Sequence, residues 1–404
     1  MWKRRKQPAG PPALTLSAQT AQPDGWMAGG WGGYRFRLDN QSGVPVRLVR
    51  FEAQWEANGR RIGQPWSATL DQLVAPGGTV ERNEIGFLPR EIVDAAYPEA
   101  PRMVGSFVAQ HDGVEESVHF RLAVPEAKLP EPLELRHGAY VGLSLMRSRW
   151  AGWANAELAL SWLDQAYQAM RELTGVSPYG GALLRLEESP PNPYFAYAGL
   201  PIVLNTRYVP SSMQEVDNGY MTFGWLHELG HVFDELGRWY NWNAAASEFQ
   251  ANFKLAYAFE HITEPAWRID WRGWRNPSYP HPSEGSVVDG RTFVDCLFTF
   301  NGDAYLTDGT RPWSSLGSDE TQAFFQRIQR IYGWEPFRRW YRVYGRLQER
   351  GQPPPAAAED KIALAAAILC RTAKANLVPV FRRWRFPVTE ASVADAARRY
   401  RIDG

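Results

Sequence analysis

The sequence predicts a multidomain α+β protein in which a β-sandwich of immunoglobulin-like size precedes a mixed region that turns largely helical toward the C terminus. Three observations carry this expectation. Short alternating runs broken by turn residues fill residues 14–125, a proline-spaced stretch follows, and beyond it apolar residues recur at helical spacing. A chain of 404 residues is too long for one ordinary domain and fits two or three, each able to bury its own core.

Residues 1–13 are basic and then Pro/Gly-rich, which favours a solvated tail. The start, Met1-Trp-Lys-Arg-Arg-Lys-Gln, has the charge of an export signal. Pro8-Ala-Gly-Pro-Pro stands where the apolar run belongs, so no signal peptide is expected. Between 14 and 125, runs such as Tyr34-Arg-Phe-Arg-Leu, Val46-Arg-Leu-Val-Arg-Phe, Gly105-Ser-Phe-Val-Ala and Ser117-Val-His-Phe-Arg-Leu read as strands. Asn40-Gln-Ser-Gly, Asn58-Gly and Pro76-Gly-Gly supply turns between them. The prolines around residues 126–133 mark a linker. A helix is expected near 154–174, with Ala159, Leu163, Ala166 and Met170 on one face, then strands at Gly181-Ala-Leu-Leu-Arg-Leu and Leu200-Pro-Ile-Val-Leu-Asn. From Thr222 helices dominate, the last near 320–332, 335–347, 360–373 and 390–400, all within a second domain spanning 134–404.

Lys plus Arg equals Asp plus Glu at 44 each, so the formal net charge is zero and the long-range attraction toward nucleic acid is missing. No nucleic-acid partner is expected. Hydrophobic residues at 44% and charged residues at 22% argue against disorder, and no apolar run is long enough to cross a bilayer. The 18 tryptophans are assigned first to cores, with stacking on sugar rings as the alternative. Cys296 and Cys370 sit in apolar stretches without ligand-spaced neighbours. They read as buried free thiols, with a single disulfide left open for an oxidising compartment.

His227-Glu-Leu-Gly-His231 is the one short motif with a demanding physical meaning. Two imidazoles four residues apart on a helix stand about 40° apart around the axis and about 6 Å along it, so both reach one ion from the same face. Glu228 lies roughly 100° round from His227, beside the ion as a base. Asp217-Asn-Gly-Tyr precedes the helix as turn and cap material, and Gly237 is expected to stop it after Leu236.

A catalytic zinc site takes three protein ligands and keeps one position open. The metzincin pattern is absent, because Val232-Phe-Asp234 follows the motif and the further histidine of that pattern does not occur. Asp234 and Glu235 are too close on the same helix to reach the ion, so the third ligand must come from a returning segment. Ala244-Ala-Ala-Ser-Glu-Phe-Gln-Ala-Asn fits: an Ala-rich helix capped by Asn243, brought back antiparallel by the short loop 237–243, with Glu248 facing the histidines. Asn252, one turn on, is placed to orient a ligand imidazole through its side-chain oxygen. Tyr240, Tyr208 and Arg207 are the candidate oxyanion stabilisers near in sequence, and spacing does not choose among them. Gly199-Leu-Pro-Ile-Val-Leu-Asn-Thr206, with its Pro201, suits a sheet edge to which an extended peptide pairs.

Phe223-Gly-Trp-Leu-His-Glu-Leu-Gly-His, then Trp242 and Glu248-Phe-Gln-Ala-Asn252-Phe, resembles the enhancin-like gluzincin metallopeptidases, a group of viral enhancins and bacterial mucin-degrading enzymes. Tyr332-Gly-Trp-Glu-Pro-Phe-Arg-Arg-Trp-Tyr and Asn376-Leu-Val-Pro-Val-Phe-Arg-Arg-Trp-Arg-Phe-Pro-Val look like the helical C-terminal half of that family's catalytic domain. The resemblance spans roughly residues 134–404 and leaves the sandwich outside as an accessory domain. It implies a zincin-type catalytic domain, one catalytic Zn2+ held by His227, His231 and Glu248, and Glu228 as general base. It also implies glycosylated, mucin-like protein substrates. Members of the family are usually exported, which would make this protein secreted or cell-surface although no export signal is visible. Arg385 stands where the family usually has glycine.

Two other readings stay open. One is a glycan-binding or adhesion module that keeps the zincin scaffold, against which the intact Glu228 argues. The other is a gluzincin aminopeptidase acting on unglycosylated peptides. A protein or glycoprotein substrate is the expected partner; the sequence leaves the oligomeric state open, and a monomer is compatible with it.

Overall fold

The computed structural model describes residues 14–21, 25–97, 99–111, 113–262, 268–270, 287–289, 292 and 302–402, so the expected tail, 1–13, and Cys296 lie outside the described residues. The protein is mixed α+β: antiparallel sheets come first, then a mixed sheet and a largely helical C-terminal half. It divides into two compact units. One runs through Pro130 and includes Ser189–Phe195 and Asn205–Arg207; the other holds the remaining residues from Glu131 onward.

In the first unit β1 (Leu14–Thr20), β2 (Gly30–Asn40) and β5 (Thr79–Leu88) form an antiparallel sheet in the order β1-β2-β5. A second antiparallel sheet has β3 (Val46–Ala57), β4 (Arg60–Val74), β6 (Arg102–His111) and β7 (Val114–Ala123) in the order β4-β3-β6-β7. Alternation decides which side chains meet. Tyr34, Phe36 and Leu38 of β2 enter one core with Phe51, Ala53 and Trp55 of β3 and Phe107 of β6, while the alternate residues Arg35, Arg37, Glu52 and Gln54 face outward. Phe36 lies 5.6, 5.0 and 4.7 Å from the ring centres of Phe51, Phe107 and Phe120, within the range where aromatic pairs attract. The expected turn between β3 and β4 has left-handed backbone at both Asn58 (φ 51) and Gly59 (φ 76), the requirement that selects Asn-Gly for a tight hairpin.

The second unit carries a five-stranded sheet of β8 (Leu133–His137), β9 (Val141–Met146), β10 (Leu184–Ser189), β11 (Ala196–Tyr197) and β12 (Ile202–Asn205) in the order β11-β12-β10-β9-β8. β9 and β10 run parallel, and the long helix Ala156–Thr174 connects them. Its Asp164 accepts the Tyr140 and Val141 N–H groups, each at 2.9 Å, and so ties the helix to the start of β9. The edge expected of Gly199–Thr206 is corrected: the chain doubles back through residues 198–201, so β11 pairs along the outer side of β12 and Ala196–Tyr197 becomes the edge.

The helices with both ends among the described residues are, in chain order, α1 (Arg90–Ala96), α2 (Arg147–Trp150), α3 (Ala156–Thr174), α4 (Val209–Asp217), α5 (Phe223–Val232), α6 (Gly237–Tyr240), α7 (Ala244–His261), α8 (Ser318–Tyr332), α9 (Glu335–Glu349), α10 (Ala358–Ala373), α11 (Val378–Arg383) and α12 (Glu390–Tyr400). Gly237 does not stop the active-motif helix. α5 ends at Val232, where tight turns take over: Asp234 N–H bonds His231 O at 2.9 Å and Gly237 N–H bonds Asp234 O at 2.7 Å, and Gly237 opens α6.

Nine described tryptophans are buried, among them Trp26, Trp162, Trp225, Trp239 and Trp340, which places most of the described ones in cores. Cys370 is a free thiol; its Sγ accepts the Leu377 N–H at 3.3 Å and burial pushes its pKa up. Arg385 adopts left-handed backbone at φ 59, a conformation glycine takes without strain. The arginine is held there by Tyr305: Nη2 donates to the carbonyl at 2.8 Å, Nε to the hydroxyl at 3.1 Å, and the guanidinium lies 4.0 Å from the ring centre.

Candidate metal centre

α5 and α7 pack against each other, and a glycine sets how closely. A Cβ on Gly230 would stand 2.6 Å from the Ala251 carbonyl oxygen and 3.0 Å from its Cα, so only glycine lets α7 approach α5 here. α7 begins at Asn243, whose side chain accepts the Ala246 N–H at 2.8 Å as the expected cap. Its Phe249–Phe259 stretch is buried throughout.

The close approach brings three donors together. His227 Nε2 and His231 Nε2 are 3.1 Å apart with their rings perpendicular, and Glu248 Oε2 lies 3.0 Å from the first and 3.4 Å from the second. The ligand atoms all fall within 4.8 Å of one another, the compass of a single ion. Glu248 is half exposed, at 52% for its side chain, while both imidazoles are more enclosed, so the cluster opens on the carboxylate side. His227 and His231 hold the Glu248 carboxyl well below the usual range.

Each imidazole has its own partner behind it. Asn252 Oδ1 is 2.7 Å from His227 Nδ1, the expected contact, which fixes the ring with Nδ1 as donor and Nε2 free to ligate. His231 is backed by Asp234, a residue that the sequence excludes as a ligand and that takes a different part here. Asp234 Oδ2 lies 3.8 Å from His231 Nδ1, an ionic contact rather than a hydrogen bond, and this oxygen has no hydrogen-bond partner. The other oxygen of Asp234 receives the Tyr240 hydroxyl at 3.1 Å and the ammonium of Lys254, whose side chain is 0% exposed and which also donates to Gly230 O at 3.1 Å. Burial would raise the Asp234 pKa, yet Lys254 and His231 keep it below the normal value. Burial lowers that of Lys254, with Asp234 opposing.

The signal for this network was legible in principle: Lys254 is a lone charge in the apolar run Phe253-Lys-Leu-Ala-Tyr-Ala-Phe, and a buried charge demands a partner. Tyr240, proposed as an oxyanion stabiliser, is corrected on the same ground. It is completely buried and committed to Asp234 behind His231, out of reach of a substrate. Tyr208 and Arg207 are exposed on the turn between β12 and α4.

Glu228 stays outside the donor cluster. It is partly buried, and burial raises its pKa while His227 and His231 work the other way; its carboxylate also accepts the Ala198 N–H, one residue past the edge strand β11. Burial disfavours the charged form of His231, but Asp234 and Glu248 outweigh it and lift the pKa to about 9. An unfolded imidazole loses its proton near 6.5. This raised value gives stability that is whole below about pH 6.5 and lost as pH climbs toward 9. Chelator-treated protein should therefore melt at falling temperature across that window. Loading zinc, for which the ring must release its proton, should flatten the fall and give a heat that varies with buffer ionisation in calorimetry.

Removing the amide behind His227 isolates one orienting contact. Asn252→Ala is expected to weaken zinc binding roughly 10- to 100-fold, read by competition with a chromogenic chelator, with the helical circular dichroism unchanged.

No protein-family model matches the chain, and no curated protein matches it in sequence. Among solved structures, it is similar to a mutant of a functionally unknown conserved protein from Bacillus anthracis str. Ames, at 12% identity and a TM-score of 0.46, over 95% of this chain and 78% of that one. Smaller overlaps link it to a protein from Archaeoglobus fulgidus (12% identity, TM-score 0.21, 26% of this chain and 90% of that one). They also link it to the sporulation control protein Spo0M from Bacillus subtilis (12% identity, TM-score 0.21, 40% and 56%). These overlaps are shallow, and the chemistry of the cluster has to be read from its own side chains.

Proposed function

We propose that this chain is a zinc-dependent peptidase that hydrolyses peptide bonds in glycosylated, mucin-like proteins. The observation that carries the reading is the convergence of His227, His231 and Glu248 within 4.8 Å, with the separate, part-buried carboxylate of Glu228 on the same helix. Two imidazoles and a carboxylate, each imidazole backed by an acceptor, fit a catalytic zinc ion and leave a place for solvent. On this reading the N-terminal sheets are an immunoglobulin-like accessory sandwich and residues 134–404 a zincin-type catalytic domain.

Bound there, zinc would polarise the scissile carbonyl and acidify water toward neutral pH. The protein's own groups do the rest. Glu228 takes a proton from the attacking water and passes it to the leaving amine, and its raised pKa moves it toward the range where a carboxylate both accepts and returns protons. The Ala198 N–H holds that carboxylate in place. Because Ala198 directly follows edge strand β11, an extended peptide pairing along Ala196–Tyr197 would lie beside the base.

The preference for glycosylated substrates is supported only by the resemblance to mucin-degrading enzymes. The test is to measure zinc stoichiometry and follow cleavage of a mucin before and after enzymatic deglycosylation. One zinc per chain with chelator-sensitive cleavage that falls on deglycosylation is the expected result. Cleavage that improves on deglycosylation would favour the aminopeptidase or general peptidase reading, and zinc without cleavage the adhesion reading.

A further inference from the structure

The balanced charge of the whole chain conceals a segregation. Between Glu335 and Gly404 there are fourteen Lys and Arg against seven Asp and Glu, a net of +7 in a protein whose total is zero. α9 shows how the excess is arranged. Its buried face is aromatic, with Phe337, Trp340, Tyr341 and Tyr344, and Arg339, Arg342 and Arg346 follow one another at helical spacing on the opposite, exposed side.

These three arginines line, together with Arg371 and Lys374 at the end of α10, a cavity of about 720 Å³ in which Glu335 is the one acidic lining residue among the described residues. Glu335 is already committed, 2.8 Å from Arg339 and 3.9 Å from Arg338. Arg342, Arg346, Arg371 and Lys374 make no ion pair among the described residues. Cations near helix C-termini gain a little from the helix dipole, which gives a local reason for Arg346 and Arg371. That effect acts on each helix alone and gives no reason for four cations without an ion pair among the described residues to line one concavity, where they repel one another.

We propose that this cavity is a binding site for a small ligand carrying several phosphate or sulfate groups. Guanidinium forks match the oxygens of such groups in pairs, and one helical turn between successive arginines spaces the forks about 5 Å apart. The volume falls in the range of clefts that hold a discrete small molecule. The site is independent of the metal centre, so the two stand or fall separately.

Isothermal titration of the full chain with inorganic tripolyphosphate and, separately, sucrose octasulfate tests the proposal. One saturable site is expected, weakening as salt rises. Arg342→Gln/Arg346→Gln, on α9, and Arg371→Gln/Lys374→Gln, at the end of α10, should each lose at least about 10-fold in affinity with unchanged zinc content. Arg382→Gln/Arg383→Gln removes the same charge from exposed positions of α11 outside the cavity and should change affinity less than about two-fold, a difference that screening alone accounts for. The tighter of the two probes identifies phosphate or sulfate as the recognised group. Absence of saturable binding by both probes, or an equal loss in the α11 control, overturns the proposal.

Discussion

Replacing Glu228 by glutamine is expected to slow peptide-bond cleavage by roughly 10²- to 10⁴-fold, the usual worth of a positioned general base, while zinc content stays at one per chain. Glutamine has nearly the same volume and keeps a carbonyl oxygen for the Ala198 N–H, so the local structure is preserved and only the basicity goes. Metal retention follows from geometry, because the three converging donors do not include Glu228. Stability should hold or rise, since burial already disfavours the charged form of this carboxyl. Atomic absorption and a mucin-cleavage assay on the same preparation decide the matter. An unchanged rate removes Glu228 from the chemistry, and lost zinc means the carboxylate is a ligand after all.

The second large effect concerns stability. Lys254→Met strips the buried Asp234 carboxylate of its cation, and breaking a buried ion pair from one side costs about 3–5 kcal/mol. Asp234→Asn/Lys254→Met should recover most of that loss, because no charge is left stranded and the amide that replaces the carboxylate still offers an oxygen to Tyr240. Zinc affinity should not recover with it. The carboxylate behind His231 is gone in the double variant, and loss of such an orienting partner typically weakens binding about 10- to 100-fold. Urea unfolding and chelator competition separate the two outcomes. If the double variant is as unstable as Lys254→Met, the pair is not the unit drawn here; if it binds zinc like the wild type, Asp234 plays no part in orienting His231.

Local patterns carried most of what could be read from the sequence. The helices expected at 154–174, 320–332, 335–347, 360–373 and 390–400 match α3, α8, α9, α10 and α12 to within two residues, because the 3.6 period marks their whole length. The alternating runs at 34–38, 46–51, 105–109 and 117–122 fall inside β2, β3, β6 and β7, which extend up to six residues beyond them. The contact of His227, His231 and Glu248 was legible because a helical repeat and one short return loop determine it. The errors came where a non-local choice overrode a local signal. Gly237 looks like a helix stop, but what makes a glycine necessary near the motif is the passage of Ala251 beside Gly230. Pro201 marks an edge in principle, but β11 pairs over that strand. Tyr240 is close to the motif in sequence and on the far side of His231 in space.

α7 supplies Glu248, Asn252 and Lys254 from a single rigid rod, and so connects the centre to the hydrophobic interior that encloses the rod. An ion gripped by this rod and by α5 would be linked to folding by mass action: at a thousand times its dissociation constant it adds about 4 kcal/mol to the folded state. Scarcity of the ion would then loosen the scaffold as well as silence the chemistry, making starved protein the form most open to degradation by other proteases.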